Sequence, residues 1–392
     1  MKKLPIIVKL SMGIIFGIIL GLICKATQNY IVGRLFITFT DLFANFLTFI
    51  IPCIILAFVA PGIADLGSKS GKLLFITAGI AYVSTIISGI LAYFVGISIL
   101  PKIIKAGNIA AESDMNLKPF FSIEIPPAMG VMTALILAFM LGLGMAHIKG
   151  KTLLGVLADF QNIVELVVKN VLIPFVPLYI VGIFTKLTIS GKIFNTLKTF
   201  SSVFIILIAL QIIYLLIQYT IVWFVSGKNP FKSLKNMLPA YMMALGTQSS
   251  AATIPMTLQS TRNNGVSEDV SGFVVPLCAT IHLAGDTITL VITSMGVMLM
   301  NGVNPTIGAI LPFIFMLGIT MIAAPGIPAG GVMAALGLLQ DMLLFTKAQQ
   351  GIMIALHAAQ DSFGTATNVT GDGAIAIIVD TIAKRRKGKI EN

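Results

Sequence analysis

The stretch HAAQDSFGTATNVTGDGA, residues 357–374, places a histidine, two aspartates, an asparagine and three threonines in a 392-residue chain that is 57% hydrophobic and only 10% charged. On a helix turning about 100° per residue, His357, Asp361, Thr365, Asn368 and Asp372 fall within roughly 80° of arc, so they form one polar stripe. The flanks, GIMIALHAA and AIAIIVDTIA, are apolar, which puts the stripe at membrane depth. An aspartate there costs about 2.5–3.5 kcal/mol on insertion scales, so each needs a partner. No lysine or arginine lies in the apolar parts of the segment, and the expected partners are cations. A carboxylate with helix-end carbonyls makes a hard oxygen cage for an alkali cation. The asparagine and threonine side chains suit a polar substrate.

Working outward, the mean hydropathy of +0.98 identifies an integral membrane protein. Cys24, Cys53 and Cys278 sit inside apolar runs without metal-ligand spacing or an even disulfide framework, so no redox or zinc role is expected. The formal net charge of +11 does not imply nucleic acid, because the basic residues are scattered at the ends of apolar runs, apart from KRRKGK at 384–389. Positive-inside topology accounts for them. The basic, then apolar, start MKKLPIIVKLSMGIIFGIILGLIC lacks a small-residue cleavage pattern and is expected to be the first transmembrane helix.

Runs of about 20 apolar residues, the length of a spanning helix, occur near 6–24, 35–63, 73–99, 128–148, 163–185 and 199–226. Beyond SGKNPFKSLKN the texture changes. Runs at 237–261 and 305–340 are broken by GTQSSAATIPM and AAPGIPAGGVM, while runs at 271–300 and 348–383 carry ionisable residues. Non-helical backbone survives at membrane depth only where protein or a water-filled cavity satisfies it, so each broken run is expected to be a re-entrant helical hairpin. Paired broken segments point to a transporter binding site. Basic residues at both ends predict cytoplasmic termini and an even number of full spans, although Lys186, Lys192 and Lys198 would then fall outside.

In the seventh span, CATIHLAGDTIT sets His282 and Asp286 four residues apart, on one face of an unbroken helix and suited to a proton relay. Gly285 and the neighbouring threonines also permit a break, which would end that shared face and free carbonyls for a cation. The two Gly-Asp pairs lack the first glycine of the G-x-G-D context of intramembrane aspartyl proteases, reading Ala284-Gly285-Asp286 and Thr370-Gly371-Asp372. An ion channel is the rival of another class, since polar stripes also line pores. No P-loop G-x-x-x-x-G-K-[ST] occurs.

Over residues 240–380 the chain closely resembles the dicarboxylate/amino acid:cation symporters, which include the glutamate and neutral amino acid transporters. SSAATIPMT at 249–257, PLCATIHLAGD in the seventh span, GIPAGG at 326–331 and NVTGD at 368–372 correspond in order to that family's hairpin and span motifs. The resemblance implies an all-α membrane fold of eight transmembrane helices plus two re-entrant hairpins, working as an elevator within a homotrimer in the cell membrane. Residues 1–225 would supply six helices, mostly scaffold, with the third and sixth joining the transport core. Residues 226–392 would supply that core: hairpin one (237–261), the seventh helix (271–300), hairpin two (305–340) and the eighth helix (348–383).

By the same resemblance, Ser249, Ser250, Ile327, Gly331, Asp361, Thr365 and Asn368 surround the substrate. One sodium site uses Asp372 with carbonyls of Cys278, His282 and Asn368. A second uses carbonyls of Thr280, Leu283, Met321, Ile322 and Ala324. Members that carry acidic substrates place an arginine where this chain has Gly364, and dicarboxylate members generally lack the aspartate matching Asp361. A neutral amino acid is therefore the expected substrate, with a dicarboxylate or acidic amino acid as the alternative. The third cation site's asparagine and aspartate are replaced by His282 and Ala284, while Tyr82 and Thr85 remain. Asp286 stands where a threonine is usual, able to touch the substrate, a sodium ion or a proton. The implied partners are the substrate and the bilayer, with no cofactor beyond coupling sodium ions or protons.

Overall fold

The computed structural model describes residues 6–68, 72–104, 118–148, 151–191, 193–321, 324 and 329–387; among them there is no strand. The first apolar runs become α1 (Ile6–Thr27), α2 (Ile31–Ser68, with Pro52 and Pro61 inside) and α3 (Lys72–Ile103). They are followed by α4 (Val131–His147), α5 (Thr152–Val167), a π-helical turn (Val168–Leu172), α6 (Ile173–Ile189) and α7 (Ile193–Ser226). The run expected at 163–185 is the inner part of a rod that begins at Thr152. Asp159, Glu165 and Lys169 interrupt the hydropathy there without interrupting the helix, because Asp159 is exposed and Lys169 pairs with Glu165 one turn away.

The two broken runs form helix–turn–helix units. α8 (Pro230–Thr247) ends on Gln248 in the left-handed region (φ 53°), and α9 (Ser250–Asn263) is capped by Ser249, whose hydroxyl accepts from Ala252 N–H. α12 (Ile307–Met321) and α13 (Gly330–Leu343) make the second unit. Arms of 14 to 18 residues are shorter than the roughly 20 that cross a bilayer. The seventh run divides into α10 (Glu268–Ile281) and α11 (Ala284–Met300), with the break at His282–Leu283. α14 (Lys347–Lys387) runs unbroken for 41 residues.

Among the described residues, six helical segments are long and apolar enough to cross a membrane: those of α1, α2, α3, the α5–α6 rod, α7 and the α10–α11 pair. α4 is shorter, and the polar stripe keeps α14 from that set despite its length.

Packing divides the helices into two groups. α1, α2, α4 and the α5–α6 rod contact one another, while α3 and α7 to α11 gather around α14. α12 packs on α13 and α3, and α13 meets α2, α4 and α14, so the second unit lies at the seam. A separate buried cluster, including Tyr219, Met237, Val274, Cys278, Val369 and Ile377, fills the space between α7, α8, α10 and α14.

Candidate cation and substrate site

At the break between α10 and α11, His282 and Leu283 leave helical geometry (φ/ψ −116°/94° and −118°/53°), and Cys278 O accepts the His282 N–H. This turn decides where the side chains go. His282 and Asp286 do not share a face, so the relay expected between them is not made. Instead His282 Nδ1 meets Asp372 Oδ1 at 2.9 Å, and His357 Nε2 meets Asp286 Oδ1 at 2.8 Å. Each histidine pairs with the aspartate of the other helix. All four residues are buried, as a carboxylate at this depth requires once it has a partner.

Asp286 occupies the first turn of α11, where a helix N-terminus favours negative charge. Its Oδ2 accepts from Asn368 Nδ2 at 2.7 Å, while Asn368 Oδ1 accepts from Gly285 N–H at 2.7 Å. Gly285 therefore does not break the helix; it admits α14, since a Cβ there would run into the Gly364 carbonyl. Gly331 makes similar room, because a Cβ there would lie 3.2 Å from both Asp286 Oδ1 and His357 Nε2, whereas one on Gly364 would meet Asp286 Oδ1 at an ordinary 3.4 Å.

Asp361, one turn beyond His357 on α14, accepts the Ala329 N–H through Oδ2 at 2.9 Å. Ala329 holds φ 62° at the start of α13 and ties the second helix–turn–helix unit to the stripe. From the first unit, Gln248 Nε2 reaches Ser362 Oγ at 2.9 Å. Between the two tips lies a cavity lined by Ser250, Leu283, Asp286, Gly331, Asp361, Thr365 and Asn368 together with Gln248, Ala279 and Ala324. It offers about 20 Å³ to the centre of a water-sized sphere, room for one or two waters and not for an amino acid. Ser249 stays at the cap of α9, while Ile327 lies outside the described residues.

Asp286, His357 and Asp361 each bring one ligand atom to within 4.8 Å of the others, two carboxylates against one imidazole. Among the described residues, no lysine or arginine lines the cavity.

The three cation cages fare differently. At the first, the His282 imidazole occupies Oδ1 of Asp372, the one carboxylate of the cage, while the Cys278 carbonyl spends one of its two lone pairs on the His282 N–H, so a sodium ion does not fit at that carboxylate oxygen. The second is only partly open. Thr280 lies near the end of α10, where helix termini leave carbonyls without intrahelical donors, but the Leu283 carbonyl already accepts from the Thr287 N–H and hydroxyl and the Met321 carbonyl from the Ala324 N–H; Ile322 lies outside the described residues. The third is not assembled. Thr85 Oγ1 bonds its own turn at Ala81 O, and Tyr82 OH points to Phe315 O at 3.4 Å. His282 Nε2 instead faces Ser84 Oγ at 2.9 Å, and that hydroxyl also meets Tyr214 OH at 2.7 Å and Gln218 Nε2 at 3.0 Å. Sequence reasoning missed Ser84, Tyr214 and Gln218. Gln211, Tyr214 and Gln218, three and then four residues apart, repeat on one face of α7 and carried the signal.

The sequence profile of the sodium:dicarboxylate symporter family matches residues 6–382. An excitatory amino acid transporter of Caenorhabditis elegans is 25% identical over 295 residues, covering 72% of this chain and 58% of its own length. Excitatory amino acid transporter 2 of Mus musculus is 31% identical over 169 residues, covering 43% of this chain and 29% of its own. Excitatory amino acid transporter 1 of Homo sapiens is 32% identical over 161 residues, covering 41% and 30%. The chain thus spans little more than half the length of the first relative and under a third of the others. These relatives are named as transporters, not enzymes, and the chain's own apolar helices support a multi-pass membrane protein. With its broken seventh run, its paired helix–turn–helix units and its profile match across nearly the whole sequence, the chain belongs to the sodium:dicarboxylate symporter family.

Proposed function

We propose that the protein is a cation-coupled symporter that takes up a non-acidic amino acid across the cell membrane. The observation that carries this reading is the charge count at the cavity: the Asp286 and Asp361 carboxylates face one histidine, with no lysine or arginine among the described residues that line the space. The surplus negative charge suits a substrate ammonium group. A second substrate carboxylate would be desolvated beside Asp286 without a guanidinium, at a penalty of several kcal/mol.

In this reading the α-amino group replaces the Ala329 N–H at Asp361, and the α-carboxylate takes an N–H from the Asn368 amide, whose hydrogen bond to Asp286 must yield. Because Ala329 and the substrate compete for Asp361, the second helix–turn–helix unit lifts to admit substrate and settles again around it. Sodium is the coupling ion, taken up at the carbonyl-rich ends of α10 and α12. The broader architecture follows the family resemblance: eight spans and two re-entrant hairpins, both termini cytoplasmic, and a homotrimer. In it α3, α7 and the elements from α8 onward move as an elevator against α1, α2, α4 and the α5–α6 rod.

The test is uptake of radiolabelled serine or alanine into proteoliposomes under an imposed sodium gradient, with a competition panel. Neutral amino acids should compete far better than aspartate, glutamate or succinate, and Asp361→Ala should abolish uptake. Strong inhibition by aspartate or succinate with none by neutral amino acids would overturn the substrate assignment, and ion flux at channel rates without substrate would overturn the carrier.

A further inference from the structure

The hydrogen bonds around His282 account for their own protons. Tyr214 OH lies 2.6 Å from the Ser84 carbonyl, which has no proton to give, so the tyrosine proton must point there. The 2.7 Å contact between Tyr214 OH and Ser84 Oγ then requires the serine proton. Ser84 Oγ is left as an acceptor, taking Gln218 Nε2–H on one side and His282 Nε2–H on the other. His282 therefore carries its proton on Nε2, and a second proton must lie between Nδ1 and Asp372 Oδ1 at 2.9 Å. Whether nitrogen or oxygen holds that second proton, the pair is neutral.

The seat is shaped for this contact. A Cβ on Gly371 would stand 2.7 Å from His282 Cε1 and 2.9–3.0 Å from the Gln218 amide atoms, so only glycine beside Asp372 lets the imidazole approach. His282 and Asp372 are each 1% exposed, which keeps water from replacing either partner. Alkali and alkaline-earth cations prefer oxygen ligands, and here an imidazole stands on the one carboxylate of the first cage.

We infer that Asp372 is not a sodium site in this protein: a proton shared with His282 supplies the counter-charge, and sodium binds elsewhere. The inference does not depend on which substrate is carried.

The experiment counts sodium ions bound per protomer by equilibrium binding of radioactive sodium to the purified full chain, without substrate, so that a failed substrate assignment leaves the result intact. Asp372→Asn should bind as many sodium ions as the wild type. His282→Asn, which replaces the imidazole by a smaller group with an amide oxygen, should bind one more, and adding Asp372→Asn to it should remove that ion again. If His282→Asn does not yield folded protein, His282→Gln takes its place. Loss of one sodium ion in Asp372→Asn alone, or no gain in a folded His282 variant, would overturn the inference.

Discussion

At position 364 a Cβ would touch Asp286 Oδ1 at an ordinary 3.4 Å, so a side chain can begin there with the Asp286 carboxylate as its first neighbour. An arginine grown from that point would pair with Asp286 before it could hold a substrate carboxylate. Gly364→Arg alone should therefore lower uptake of neutral amino acids without making aspartate a good competitor. Combined with Asp286→Asn, it should improve competition by aspartate about tenfold or more, the effect of one charge-assisted hydrogen bond worth roughly 1.5–3 kcal/mol. Inhibition constants for both variants check this, and an acidic preference in the single variant would contradict it. The stripe on α14 was legible because a sustained helical period needs no tertiary information. The partnering of its members was not. Whether His282 faces Asp286 or Asp372 depends on two backbone dihedral pairs at residues 282 and 283, which composition does not encode.

Elements show a similar division. Broken apolar runs announced both helix–turn–helix units, because glycine, proline and serine clusters are strong punctuators, whereas the start of α5 was obscured by charges that one helix face simply carries outward. Close packing of α1 on α6 also escaped notice, although Gly13, Gly17 and Gly21 recur every fourth residue. A Cβ on Gly17 would come 2.6 Å from Val181 O and 2.9 Å from Phe184 Cβ, so the two backbones touch with no side chain between them. Gly17→Leu should force these helices apart and destabilise the protein by about 1–3 kcal/mol or more, the usual cost of overpacking. Gly79→Ala, where a Cβ meets nothing within 4 Å, should leave the melting temperature unchanged or slightly raised. Thermal melts of the two variants side by side make the comparison.

On the scale of the whole molecule, the polar stripe that organises the site also bears on how the chain enters the bilayer during synthesis. α14 is made after α1 to α13, and unlike the six apolar segments it is not hydrophobic enough by composition to partition on its own. Asp361 and Asp372 alone add roughly 5–7 kcal/mol to its insertion at full exposure to lipid. The partners of the stripe's polar groups, His282 for Asp372, Ala329 for Asp361 and Asp286 for His357, all lie upstream and have left the ribosome before α14 does. Insertion of α14 should therefore wait on the prior assembly of α10 to α13. Glycosylation-site reporters placed beyond residue 387 would read this directly: α14 fused behind an unrelated apolar helix should fail to integrate, and behind its own preceding segments it should succeed. Loss of both His282 and Asp286 should then appear first as misrouted chains and only second as weak transport, which makes biogenesis, rather than turnover, the earliest casualty of substitutions in this core.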